Sequence, residues 1–151
     1  MMRLHTEPKT NIMKRLATCC CRDIGIEVEG EPEIHCVCHC DNCKRRTGSA
    51  FGISAYFKDA QIVQFIGETN VFEKINWLGD QKRHFCKSCG TTVYWTLSEM
   101  AGLTGIAGGC FTDNPLPEPN LTITQGDNIW PWVKMPEHWD TSIEAVGRVI
   151  T

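Results

Sequence analysis

Nine of the ten cysteines in this chain fall in three short runs, and their spacing constrains the fold more tightly than any other feature. The runs are Cys19-Cys20-Cys21, Cys36-x-Cys38-His39-Cys40-x-x-Cys43 and Cys86-x-x-Cys89, with Cys110 standing apart. A Cys-x-x-Cys turn lets two sulfurs converge on one ion while neighbouring amides point at the thiolates. Zinc held tetrahedrally at about 2.3 Å from each sulfur sets the sulfurs about 3.8 Å apart, which a turn can supply. An extended strand cannot, because residues i and i+2 lie about 6.6 Å apart along it. Any Cys-x-Cys pair that shares an ion must therefore sit where the chain bends.

The alternative use of so many cysteines is disulfides, and the rest of the sequence argues against it. The first thirty residues hold no apolar run of the roughly 7 to 15 residues that a secretory leader carries behind a charged start. Nor does any segment approach the roughly 20 apolar residues that span a bilayer. The expected setting is cytoplasmic and reducing, where clustered cysteines hold metal. A net charge of −3 offers no positive field for a phosphate backbone, so neither nucleic acid nor membrane is an expected partner. The sequence leaves the oligomeric state open.

At 151 residues the chain suits one domain. Residues 1–16 read as a partly ordered tail and 17–151 as the zinc-binding domain. Ile26 and Val28 alternate with Glu27 and Glu29, and Phe51 to Phe57 alternates in the same way. Ile62–Ile66, Val71–Ile75, Thr91–Trp95, Leu103–Phe111 and Leu121–Thr124 have the β-branched and aromatic content of strands. The expected class is mainly β, with packed antiparallel sheets and little helix. One helix is expected at the end, where Thr141 and Glu144 have capping-box spacing and Ile143, Val146 and Ile150 share a face. Large rings such as Trp77, Trp95, Trp130, Trp132 and Trp139 read mainly as core.

The simplest division of the cysteines makes a closed four-thiolate site from Cys19, Cys21, Cys86 and Cys89, a structural clamp. Cys38, Cys40 and Cys43 then form a second site. Either its fourth position stays open for water or substrate, as catalytic zinc requires, or Cys36 or a histidine closes it and makes it structural. Alternation along an extended chain turns His39 away from its neighbours. Cys20 and Cys110 read as ordinary buried thiols.

The segment Cys38-His39-Cys40-Asp41-Asn42-Cys43-Lys44-Arg45-Arg46-Thr47-Gly48-Ser49, with Arg83-His84-Phe85-Cys86-Lys87-Ser88-Cys89-Gly90-Thr91 further on, resembles the glutathione-dependent formaldehyde-activating enzyme family. Cys19-x-Cys21 followed by Ile26-Glu27-Val28-Glu29-Gly30 is similar to that family's opening. The resemblance implies an Mss4-like fold and two zinc ions per chain, a structural one on Cys19, Cys21, Cys86 and Cys89 and a catalytic one on Cys38, Cys40 and Cys43. It further implies a carbon–sulfur lyase acting on S-(hydroxymethyl)glutathione or a related thiol adduct, with a small thiol such as glutathione as partner. Within that expectation Arg46, Thr47, Ser49 and Arg83 are the candidate substrate contacts. The chain departs from the family in reading Arg22-Asp23 where members usually place a glycine, and Asp127-Asn128-Ile129-Trp130 where many carry His-Ile.

Two other classes fit parts of the pattern. A zinc-stabilised protein-interaction module requires both sites closed by protein. A thiol redox enzyme of the methionine-sulfoxide-reductase kind requires Cys40, Cys43, Cys86 and Cys89 on one ion and Cys110 as nucleophile.

Overall fold

The computed structural model describes residues 11–124 and 126–141. Among the described residues, ten strands and one α-helix make up the frame, in two sheets. β1 (Lys14–Thr18), β2 (Gly25–Glu29) and β5 (Ile62–Ile66) form an antiparallel sheet in the order β1-β2-β5. The second sheet has the order β10-β3-β4-β9-β8-β7-β6. Its strands are β3 (Ile34–Cys38), β4 (Gly52–Lys58), β6 (Thr69–Asn76), β7 (Gly79–Cys86), β8 (Thr92–Leu97), β9 (Leu103–Ala107) and β10 (Leu121–Ile123). Every pairing in it is antiparallel except β10 with β3, which is parallel. The mainly β, antiparallel class read from the sequence is the class observed.

The central strands of the large sheet are buried on both faces while its edge strand β6 is exposed, and the pairing registers show which residues share each face. On one face Ala55, Phe57 and Ile106 pack with Ala17, Ile24, Ile26 and Val28 of the small-sheet region. On the other, register places Cys36 opposite Ser54, Cys38 opposite Gly52, Tyr56 opposite Gly105, Gly105 opposite Trp95, and Trp95 opposite Arg83. This second face is polar at its centre and apolar around it, and the functional residues lie on it.

Several expectations need correction. Strand β1 starts at Lys14, inside the stretch read as tail, and its Arg15 is buried, donating to Glu31 and to the Gly30 carbonyl. The α-helix lies in mid-chain, α1 (Asp41–Thr47); it has no buried residue, so no apolar periodicity announced it. The helix expected at residues 141–150 falls outside the described residues from 142 onward. Trp95 is the one fully buried tryptophan, whereas Trp77, Trp130 and Trp132 are exposed. Among the described residues no helix is long and apolar enough to cross a membrane.

The Trp95 indole lies across β9 because position 105 is glycine: a Cβ there would overlap the ring at Nε1. The Arg46 guanidinium covers the ring at 4.4 Å from its centroid. Gly105→Ala must displace the ring or the strand, an overpacking cost of about 1–3 kcal/mol. The expected drop in thermal midpoint is roughly 3–10 °C for a chain of this size, measured by calorimetry.

Candidate metal centre

Two groups of thiols are drawn together by bends at strand ends. Cys19 and Cys21 sit in the β1–β2 turn, Cys86 ends β7 and Cys89 lies in the β7–β8 turn. Their four sulfurs all lie within 4.8 Å of one another. Cys21 Sγ is 3.6 Å from both Cys19 Sγ and Cys86 Sγ, close to the edge of a tetrahedral thiolate site and far beyond a disulfide bond. Amides point at the sulfurs, Ile24 N–H at Cys19 Sγ and Ser88 N–H at Cys86 Sγ, each at 3.4 Å. The Thr91 hydroxyl, 3.3 Å from Cys89 Sγ, and the Thr91 amide hold the Cys89 thiol down to about 5. These contacts favour thiolates at Cys86 and Cys89, while Cys21, despite a backbone hydrogen bond from Asp23, is pushed up to about 12 by desolvation and the neighbouring thiols. The four clustered sulfurs fit a bound metal ion.

The β1–β2 turn also explains the missing glycine. Arg22 adopts φ 67°, in the left-handed region where glycine is the usual occupant. Its guanidinium forms a two-pronged ion pair with Asp113, both arms at 3.1 Å, on the exposed surface.

The second group is Cys38, Cys40 and Cys43, again within 4.8 Å. Cys38 ends β3; the chain then bends at His39, and Cys40 caps α1, its sulfur accepting the Cys43 amide at 3.4 Å. Hydrogen bonds from the Cys38 and Cys43 thiols hold the Cys40 thiol down to about 2, while Cys43, beside Cys38 and Cys40, is pushed well up. Three thiols this close repel one another once ionised, so full ionisation calls for a cation between them. That is the chemistry of a metal-binding donor set.

Cys36 does not join them. It stays in β3, two residues from Cys38 along an extended chain, where strand geometry keeps the sulfurs apart. Burial pushes its thiol up. His39 points to the other side, fully buried, with Nε2 2.9 Å from Thr122 Oγ1. Among the described residues, protein supplies three ligands here. The redox-enzyme arrangement is excluded, because Cys40 and Cys43 lie in a different group from Cys86 and Cys89.

Two cavities matter here: only the smaller touches these three thiols, and the larger borders Gly90 and Thr91 beside the four-thiol group. A small one of about 40 Å³ lies against Cys38, Cys40 and Cys43, walled by Tyr56, Gln81, Leu97 and the β6–β7 turn at Trp77 and Leu78. A larger one of about 460 Å³ is lined by Arg46, Thr47, Ser49, Thr91, Thr92 and Cys110. Arg46 stands between them. Its Nη2 packs on Gly52 beside Cys43 Cβ, where a Cβ on Gly52 would lie 2.6 Å from it, and it has no hydrogen-bond partner.

Of the four candidate substrate residues, Arg46, Thr47 and Ser49 share the larger cavity and Arg83 does not. Arg83 Nη2 donates to Asn42 Oδ1 at 2.6 Å, and Asn42 Nδ2 donates to Gln81 Oε1 at 3.2 Å. β7 therefore grips the first turn of α1 from below the cysteines. The sequence reading missed Asn42, Gln81 and Tyr56, although register with Arg83 and Ser54 puts the last two on the site face. Cys20 is exposed and Cys110 half-buried, in place of the buried thiols expected. Burial still pushes Cys110 up to about 11.

Two packed sheets joined by thiol knuckles, with one four-thiol and one three-thiol group, define a metal-knuckle β protein. The model of the glutathione-dependent formaldehyde-activating enzyme family matches residues 14–127, and the chain belongs to that family. No curated protein matches it. Among solved structures, a Rhodobacter sphaeroides protein is similar at 23% identity and a TM-score of 0.50, over 66% of this chain and 88% of that one, a likeness of fold alone.

The three-thiol group is expected to lose metal before the four-thiol group under a chelator, since it contributes one ligand fewer. Metal content against chelator concentration checks this; simultaneous release contradicts it. Arg22→Gly relieves about 1 kcal/mol of left-handed strain and loses an exposed ion pair of similar or smaller worth. Its denaturant midpoint is expected to be equal to or above that of the parent.

Proposed function

We propose that the chain is a zinc-dependent carbon–sulfur lyase that interconverts S-(hydroxymethyl)glutathione with glutathione and formaldehyde, in a reducing cytoplasm. Cys19, Cys21, Cys86 and Cys89 hold the structural ion in this reading, and Cys38, Cys40 and Cys43 the catalytic one. The observation that carries it is the three-fold donor set: Cys36 is kept in its strand and His39 is turned away, so the fourth direction opens on a cavity. Family membership supports the same choice.

When bound, zinc supplies a position at which a substrate sulfur or oxygen is oriented and its charge offset. The chain's own groups do the rest. Cys38 at the end of β3 and Cys40 at the head of α1 would hold the ion together with Cys43, and Arg83, through Asn42, holds the first turn of α1. The larger cavity, at about 460 Å³, falls within the range that small ligands occupy. There the Arg46 guanidinium offers a positive charge for a carboxylate, and Thr47 and Ser49 offer hydroxyls. Arg83 is a positioning residue in this scheme, and Arg46 a binding one.

The test is turnover of formaldehyde with glutathione by zinc-loaded protein containing two ions per chain. Cys43→Ser is expected to lose one ion and nearly all activity. Arg46→Ala is expected to keep both ions and raise KM for glutathione by roughly 10- to 100-fold, the worth of a charged hydrogen bond. Full activity with both ions in Cys43→Ser overturns the reading.

A further inference from the structure

The small cavity holds a hydroxyl that nothing in the fold uses up. Tyr56 projects from β4 on the site face and lines the cavity together with Cys38, Cys40 and Cys43. Its oxygen accepts the Trp95 Nε1 proton at 3.3 Å, and the indole is locked in place between Gly105 and the Arg46 guanidinium. The hydroxyl's own proton has no acceptor among the described residues. A phenol offers one donor and can accept as well, so a position in which only the accepting side is satisfied leaves a donor aimed at whatever enters. Such a donor in a pocket walled by Leu97 and Ile123 costs free energy until it is met.

We infer that Tyr56 is a catalytic hydrogen-bond donor, serving the oxygen of a one-carbon group held in the small cavity beside Cys38, Cys40 and Cys43. This rests on the lyase reading only for the identity of the group that carries the oxygen. The volume suits a small group: about 40 Å³ compares with the roughly 10–15 Å³ that one water needs by the same measure, room for the few heavy atoms of an aldehyde or hydroxymethyl group.

The role in the addition step follows. The sulfur lone pair forms the C–S bond, the carbonyl π pair moves onto oxygen, and that oxygen finally takes the proton the thiol gave up. Tyr56 donates a hydrogen bond to the oxygen as its charge grows and keeps its own proton. Burial pushes the phenol upward, so it stays a neutral donor through the reaction. Cleavage uses the same contact in reverse.

The test compares parent and Tyr56→Phe proteins, both loaded with cobalt(II) so that ligand binding at the three-thiol group is read from the visible spectrum, and both checked for metal content and thermal midpoint. Formate is the probe, as a one-carbon oxygen ligand. At equal metal content, Tyr56→Phe is expected to weaken formate by about tenfold, the worth of one buried hydrogen bond. In the zinc forms it is expected to lower kcat for adduct formation by 10- to 100-fold with little change in the KM for glutathione. Equal formate affinity in the two proteins, or no formate binding by the parent, overturns the inference. If formate discriminates between them while neither turns over formaldehyde and glutathione, the tyrosine assignment stands and the lyase reading falls.

Discussion

A sulfur on an extended strand cannot share an ion with a sulfur two residues along, and much of this structure follows from that conflict of distances. The strand repeat separates alternate side chains by well over the edge of a thiolate tetrahedron. Each metal-binding cysteine accordingly sits at a strand end, in a turn or at the head of α1. Cys36 shows the rule from the other side: it is near the second group in sequence, carries the right chemistry, and is held out of it by its strand. The rule also selects where the sheets are joined. The β1–β2 and β7–β8 turns meet through four thiols, so a contact between residues far apart in sequence closes the end of the sandwich, and an ion bound there contributes directly to folding.

The site face of the large sheet is built against the usual logic of a strand. Gln81 and Arg83 are almost fully buried on β7, at positions where an ordinary core strand would carry Val or Leu. Asn42 at the base of α1 pairs with Gln81 Oε1 and Arg83 Nη2, while the buried Arg83 Nε has no partner, and in return Gln81 and Arg83 hold the turn bearing Cys40 and Cys43. Buried polarity here serves position, a common trade at functional sites.

What was legible from the sequence follows from the same physics. The β class and most strands were readable because half-buried strands alternate, and the two thiol groups were readable because ligand spacing is short-range and strict. β7 was not, since its inward residues are polar and erase the alternation. β3 was hidden behind its cysteines. α1 escaped because a seven-residue helix with no buried side chain has no apolar period to detect. Tyr56 escaped for a different reason: its significance comes from Trp95 and from a cavity, both set by tertiary register and invisible to local pattern.

The Trp95 ring has a consequence of its own. One face rests on Gly105, the other is covered by Arg46 from the larger cavity, and its edge holds the Tyr56 oxygen in the smaller one. A single indole lines neither room, yet it seats Arg46, which lines the larger, and Tyr56, which lines the smaller. Selection for a different ligand can recut Phe51 or Ile53 on one side, or Leu97 and Trp77 on the other, without disturbing the opposite chamber. It cannot recut position 95 in the same way. That residue ties together two preferences that would otherwise drift apart, and relatives that alter it must refit both chambers at once.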